Sequence, residues 1–126
     1  MNVKEMSEDF RNRYPEITKA ADTRHLEIWG SVEDEAAFVW FESLAYALNA
    51  QMGFPERGTD FPAIFNYFDT MLRAGSKEVK NCIDVSFVEN LFWEVIPKNA
   101  TPVWATLPKS LQQLYIDFHG RPPKLG

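Results

Sequence analysis

His25, His119 and Cys82 are the side chains of this chain best suited to nucleophilic, general-base or metal chemistry. A zinc site needs three or four convergent ligands, and no two of these three stand close together in sequence. Cys82 falls on the apolar side of a helical pattern, where a cysteine serves as a small buried hydrophobe more often than as a nucleophile. His119 precedes Gly120 at the end of another helical pattern, a place where a cation meets unsatisfied carbonyls. Nothing around His25 selects a role for it. There is no Gly-x-Ser-x-Gly, no glycine-rich phosphate loop and no His-Glu-x-x-His in the chain, so the reaction classes those motifs carry lose their usual support. The expectation is a protein that is not an enzyme and uses no metal or cofactor.

Groups that can hold a partner are more plentiful. Glu33, Asp34 and Glu35 cluster at a helix start, where dipole complementarity and capping already account for them. Asp84, Glu89 and Glu94 are spaced by five, which rotates them by about 140° per step and makes a diffuse acidic flank. Thirteen Lys and Arg against eighteen Asp and Glu give a net charge of −5, a balance that opposes direct nucleic-acid binding and favours a basic partner. Trp40 and Trp93 fall inside helical patterns and are expected in the core; Trp29 and Trp104 lie in irregular segments, where an exposed tryptophan would make a good anchor, but burial is the expectation for these two as well. The polar loop Glu56 to Asp60 joins two helices and is a further place for binding groups.

The elements that position these residues read as helices. Val3, Met6, Phe10 and Tyr14 form one stripe, and Pro15 starts a short second helix to about Ala21. Residues 25–30 fit either a helical turn or a strand. Ser31 to Asp34 has the form of a capping box ahead of a largely apolar helix, Ala36 to Met52, stopped by Gly53. Thr59 or Asp60 caps the next helix, whose stripe is Phe61, Ile64, Phe65, Phe68, Met71 and Leu72. Beyond Gly75, Ser76 caps a helix in which Val79, Ile83, Phe87, Leu91 and Val95 recur in steps of four, ending before Pro97. With only Gly75 between them, these two helices predict a central antiparallel hairpin. A polar linker follows, then a turn with Trp104 bracketed by Pro102 and Pro108, then a last helix from Pro108 to Gly120.

The sum is an all-α fold, a compact bundle of about five helices in one domain over 1–126, with residues 121–126 a short tail. A chain of 126 residues with 45% apolar content can remove roughly 65–70% of its unfolded surface from water. One cysteine allows no internal disulfide, and no signal-like segment opens the sequence, so a reducing cytoplasm is the expected compartment. No apolar run approaches the ~20 residues of a membrane span.

The stretch from Gly75 to Leu91, most characteristically Ser86-Phe87-Val88-Glu89-Asn90-Leu91, followed by Leu107-Pro108 and an amphipathic helix, resembles a segment of small helical bacterial proteins. It looks like those of the immunity proteins of polymorphic-toxin and contact-dependent growth-inhibition systems. The resemblance implies a non-enzymatic protein that neutralises a cognate toxin, often a basic nuclease, by covering or distorting its active site. Acidic side chains would then stand in for phosphates. Glu33, Asp34, Glu35, Asp84, Glu89 and Glu94 are the partner-binding candidates. A helical adaptor or scaffold is the alternative reading, and a small ligand-binding domain or enzyme with an aromatic pocket comes third.

Overall fold

The computed structural model describes residues 1–126, apart from the side chain of Asp34. Among the described residues every regular element is helical, and no helix is long and apolar enough to cross a membrane. Helix α1 (Val3–Arg13) is closed by a capping box in which the Asn2 side chain accepts from the Glu5 amide while the Glu5 carboxylate accepts from the Asn2 amide. Two of the four orphan N-terminal donors are thereby satisfied. Its stripe of Val3, Met6 and Phe10 is buried as the spacing predicts.

Helix α2 (Pro15–Trp29) begins at the expected proline but runs eight residues past Ala21. The ambiguous residues 25–29 are its last turns, and Gly30, at φ 78°, supplies the left-handed cap. Ile17, Thr18, Ala21 and His25 are its buried residues. Two of those four are polar, which hides the stripe from a reading based on apolar spacing.

Helix α3 (Ala37–Gln51) is the centre of the molecule: Trp40, Phe41, Leu44, Ala45 and Leu48 are all buried. The capping box expected from Ser31 closes on Asp34, whose side chain lies outside the described residues. A 3-10 turn, Asp34–Ala36, leads into the helix, and the side chain at its cap, Ala36, makes no capping bond. The most extensive pairing in the fold is between α2 and α3, followed by α3 against the segment after residue 81. Phe10, Phe41, Phe68 and Phe87 meet beside α3, with Phe68 and Phe87 stacked at 4.0 Å between centroids. Such contacts add roughly 0.5–1.5 kcal/mol per pair to the burial of the rings.

Helix α4 (Phe61–Ala74) has the predicted stripe and the Asp60 cap. Ser76 caps α5 as expected, but α5 (Lys77–Asn81) is one turn long. The backbone widens into a π-helix over Cys82–Phe87, tightens to 3-10 over Val88–Asn90, and leaves helical conformation at Leu91. The predicted helix to Val95 therefore ends five residues early, and its hairpin with α4 is not the core of the bundle. The steps of four carry the reason. In an α-helix each such step leads the stripe by about 40°, and a wider π turn takes up that lead, so Val79, Ile83, Phe87 and Leu91 stay buried together. Gly75 keeps α4 and α5 close, since a Cβ there would collide with the Met71 carbonyl and stand 2.6 Å from a Val79 methyl.

The expected linker and turn after Pro97 are a helix, α6 (Pro97–Trp104), with proline at its first position and Pro102 tolerated within it. Helix α7 (Lys109–His119) ends at Gly120, φ 77°, as read from the sequence. Among the described residues there are thus seven α-helices where about five are expected: α6 has no counterpart in the sequence reading, and α5 is what remains of the helix expected from Ser76 to Val95, the two lying on either side of a break at residues 91–96.

Candidate protein-binding surface

The six candidate carboxylates fall into separate neighbourhoods. Asp84 and Glu89 are half-buried on the π segment and the 3-10 turn after it. Burial raises both above the usual carboxylate range; Asp117 adds to the rise at Asp84, and Asp84 to that at Glu89. His119 joins this group from α7. Its ring stacks on Tyr115 at 4.0 Å, and its Nε2 lies 3.0 Å from the Glu89 carbonyl, a geometry in which the ring N–H donates. His119 therefore ties α7 to the 88–90 turn. Glu94 belongs elsewhere, acting with Glu42 on the Tyr46 hydroxyl. Glu33 and Glu35 are exposed beyond the end of α2; the side chain of Asp34 lies outside the described residues.

The end of α2 and the residues just after it carry four exposed large apolar side chains. Leu26, Ile28, Trp29 and Val32 are 49%, 55%, 55% and 40% exposed, and Glu27, Glu33 and Glu35 stand exposed among them. No Lys or Arg occurs between Arg24 and Arg57, so nothing basic in this stretch of chain dilutes the negative rim. Trp29 does not hang free. Its indole stacks against the His25 ring (6.2 Å between centroids, 29° between planes), and His25 is itself 1% exposed with Nδ1 2.8 Å from the Ser43 hydroxyl of α3. Burial lowers the His25 pKa, so the imidazole is neutral at pH 7. A large ring held in place by a fixed neighbour loses little entropy on binding, which is the physical requirement for an anchor. The signal was present in the sequence: Leu26, Ile28 and Trp29 put apolar groups on three sides of one helical turn, more than a single buried face can use.

The exposure of Trp29 corrects the sequence reading, which expects every tryptophan buried, and a second exposed tryptophan does so again. Trp93, placed in the core by its helical context, is 62% exposed in the break before α6, whereas Trp40 is buried. Phe92 at φ 66° and Glu94 at φ 57° flank it in left-handed conformations, each costing roughly 1–2 kcal/mol for a residue with a Cβ. Tertiary contacts hold this turn. Asn49, buried in α3, donates from Nδ2 to the Asn90 carbonyl (2.9 Å) and accepts on Oδ1 from the Phe92 amide (2.8 Å). Asn90 in turn accepts from the Tyr46 hydroxyl at 3.1 Å and donates to the Ser86 carbonyl at 2.8 Å. The Phe92 ring packs edge-on against Trp104 and Tyr115. Ser86 and Asn90, conspicuous in the sequence, are thus fasteners of a turn that keeps Trp93 in solvent.

The remaining reactive groups are structural. Cys82 is fully buried, its thiol 3.8 Å from the Phe38 carbonyl and pushed up to about 12 by burial, so it stays protonated at neutral pH. In the Glu56 to Asp60 loop Asp60 caps α4, and the Arg57 guanidinium lies 4.0 Å from the centre of the Phe54 ring. That loop borders an open cleft of about 450 Å³ with Arg13, Tyr14 and Ile64.

No curated protein and no solved structure matches this chain. A family model described as a domain of unknown function, DUF7674, matches residues 7–120. With the match spanning all seven helices but the first four residues of α1, the chain belongs to the DUF7674 family.

Proposed function

We propose that this protein acts by direct contact with a protein partner, as an immunity protein that neutralises a cognate bacterial toxin, and that it works in the cytoplasm without catalysing a reaction. The observation that carries the proposal is the end of α2: an apolar surface centred on a braced Trp29, with Glu27, Glu33 and Glu35 exposed around it. Its complement is a basic surface with an apolar recess, as a nuclease domain offers where it receives nucleic acid. The carboxylates take the place of phosphates, and Trp29 supplies the desolvated centre. The net charge of −5 steers such a partner, at rates that reach the order of 10⁸ M⁻¹s⁻¹ at low salt.

The test is calorimetric titration with the separately purified C-terminal domain encoded directly upstream, at two salt concentrations. The expected result is one-to-one binding on the order of nanomolar that weakens with salt, and that Trp29→Ala weakens at least thirtyfold, about 2 kcal/mol for a central anchor. Tight binding unaffected by Trp29→Ala and by charge reversal at Glu33 and Glu35 removes this surface from the interface; no binding removes the immunity reading. The second reading, a helical adaptor, is favoured by one observation, the second exposed tryptophan at Trp93. An adaptor recovers two different proteins in a pull-down, one lost on mutation of each tryptophan.

A further inference from the structure

Arg24 is an unpaired cation in a fold that has partly enclosed it. Its guanidinium lies over the Tyr46 ring at 4.5 Å, its Nε is buried with no hydrogen-bond acceptor, and no carboxylate among the described residues pairs with it. Most of the other arginines are placed differently: Arg11, Arg13 and Arg73 form ion pairs with Asp22, Asp9 and Asp69. Leaving a half-buried charge without a counter-ion is unfavourable, and the cation–π contact returns only part of that. The Tyr46 platform is fixed, because its hydroxyl donates to Asn90.

Arg24 and Tyr46 form one side of an open groove of about 340 Å³, and Trp93, Ile96 and Asn99 line it as well. Trp93 is kept there by the left-handed turn and its Asn49 clasp. Local potential limits what the groove can accept: Glu94 lines it, and Glu42 and Glu94 both act on Tyr46, so the repulsion grows with the charge of the ligand and disfavours a polyanion such as nucleic acid far more than a single carboxylate, which Arg24 offsets. We propose that the groove between α2, α3 and the Phe92–Glu94 turn is a binding site for one carboxylate carried beside a flat apolar group, with Arg24 as its counter-ion and Trp93 as the wall against which the flat group packs. The site is separate from the end of α2 and does not depend on the immunity reading. An arginine edge reads a carboxylate through two parallel hydrogen bonds, and that is the contact assigned to Arg24.

The probes are benzoate and N-acetylphenylalanine, each against its amide, titrated into ¹⁵N-labelled full-length protein. The buried Arg24 Nε–H and the Trp93 indole N–H are the reporters. Saturable shifts of both signals are expected with the acids, at dissociation constants on the order of 1–10 mM for ligands of this size. The amides should bind at least tenfold more weakly, as should the acids to Arg24→Gln. Tighter binding of N-acetylphenylalanine than of benzoate assigns the site to a peptide chain end, and the reverse order to a free aromatic acid. Equal binding of acid and amide to the unmodified protein, or shifts that do not saturate, overturns the proposal whatever the folding state of Arg24→Gln.

Discussion

Replacing Asn49 with alanine tests the central claim about the Trp93 turn. The side chain makes two bonds to backbone that has no other partner there, one to the buried Phe92 amide and one to the half-buried Asn90 carbonyl. A buried donor left unmet costs roughly 1–3 kcal/mol, and a carbonyl that water can reach costs toward the low end of that range. If the turn keeps its shape, the sum is about 3 kcal/mol, a fall in Tm of about 10 °C for a domain between the size classes for which the scaling is known. If the turn relaxes instead, the strain at Phe92 and Glu94 is released and offsets part of the loss; the cost drops to about 1–2 kcal/mol, and Trp93 changes environment. Urea unfolding followed by circular dichroism gives the cost, and Trp93 fluorescence in a Trp29→Phe background reports the turn. Asn49→Asp separates geometry from mere polarity. It keeps an acceptor for the Phe92 amide but turns an oxygen toward the Asn90 carbonyl, so it should cost at least as much as alanine. A loss under about 0.5 kcal/mol for alanine with Trp93 unchanged, or a stable aspartate variant, would refute the clasp.

Asp84→Asn combined with Glu89→Gln should stabilise the protein at pH 7. Burial raises both carboxyls above their ordinary values of 3.8 and 4.5, so the folded wild type binds protons before the unfolded chain does, and its stability grows as pH falls through the folded values; the advantage of the variant should therefore shrink toward pH 4, as measured by urea titration across that range. His25 has the opposite sign. Its pKa lies below the ordinary 6.5, so the unfolded chain protonates first and stability is lost as pH falls below about 6.5; His25→Gln should show a shallower slope between pH 7 and 5, and an unchanged slope would mean that His25 is not the group responsible. Cys82, fully buried with its thiol pushed up to about 12, should resist alkylation by iodoacetamide at pH 8 and react only at the rate of opening in urea, whereas prompt labelling of native protein would contradict its burial.

Helices whose buried face is apolar were legible from spacing alone: α1, α3, α4 and α7 lie where the periodicity puts them, with Asp60, Ser76 and Gly120 in their terminal roles. The reading failed where polar residues carry the fold. The buried face of α2 includes Thr18 and His25, and the break after Asn90 is made by side-chain bonds from Asn49, 41 positions away in the chain. No local pattern announces a long-range bond of that kind. Trp93 was misplaced for the same reason, since steps of four leading to Val95 look continuous until tertiary contacts interrupt them. Of the binding candidates, Glu33 and Glu35 lie beside the exposed end of α2, while Asp84 and Glu89 share a half-buried site with His119. Arg24 carried no sequence signal, because what sets it apart is the lack of a partner in space.

The π-helix at Cys82–Phe87 has a consequence for how this chain can change in length. A π turn holds one more residue than an α turn spanning the same gap. Deleting a single exposed position between Cys82 and Phe87, such as Val85, therefore permits a regular α-helix that keeps the residues downstream in nearly the same phase relative to Val79. The Asn49 clasp and the burial of Val79 and Ile83 can then persist together. Descendants of this sequence should thus tolerate loss of one residue inside the π turn more readily than loss of one between Val88 and Asn90, where no extra residue is held.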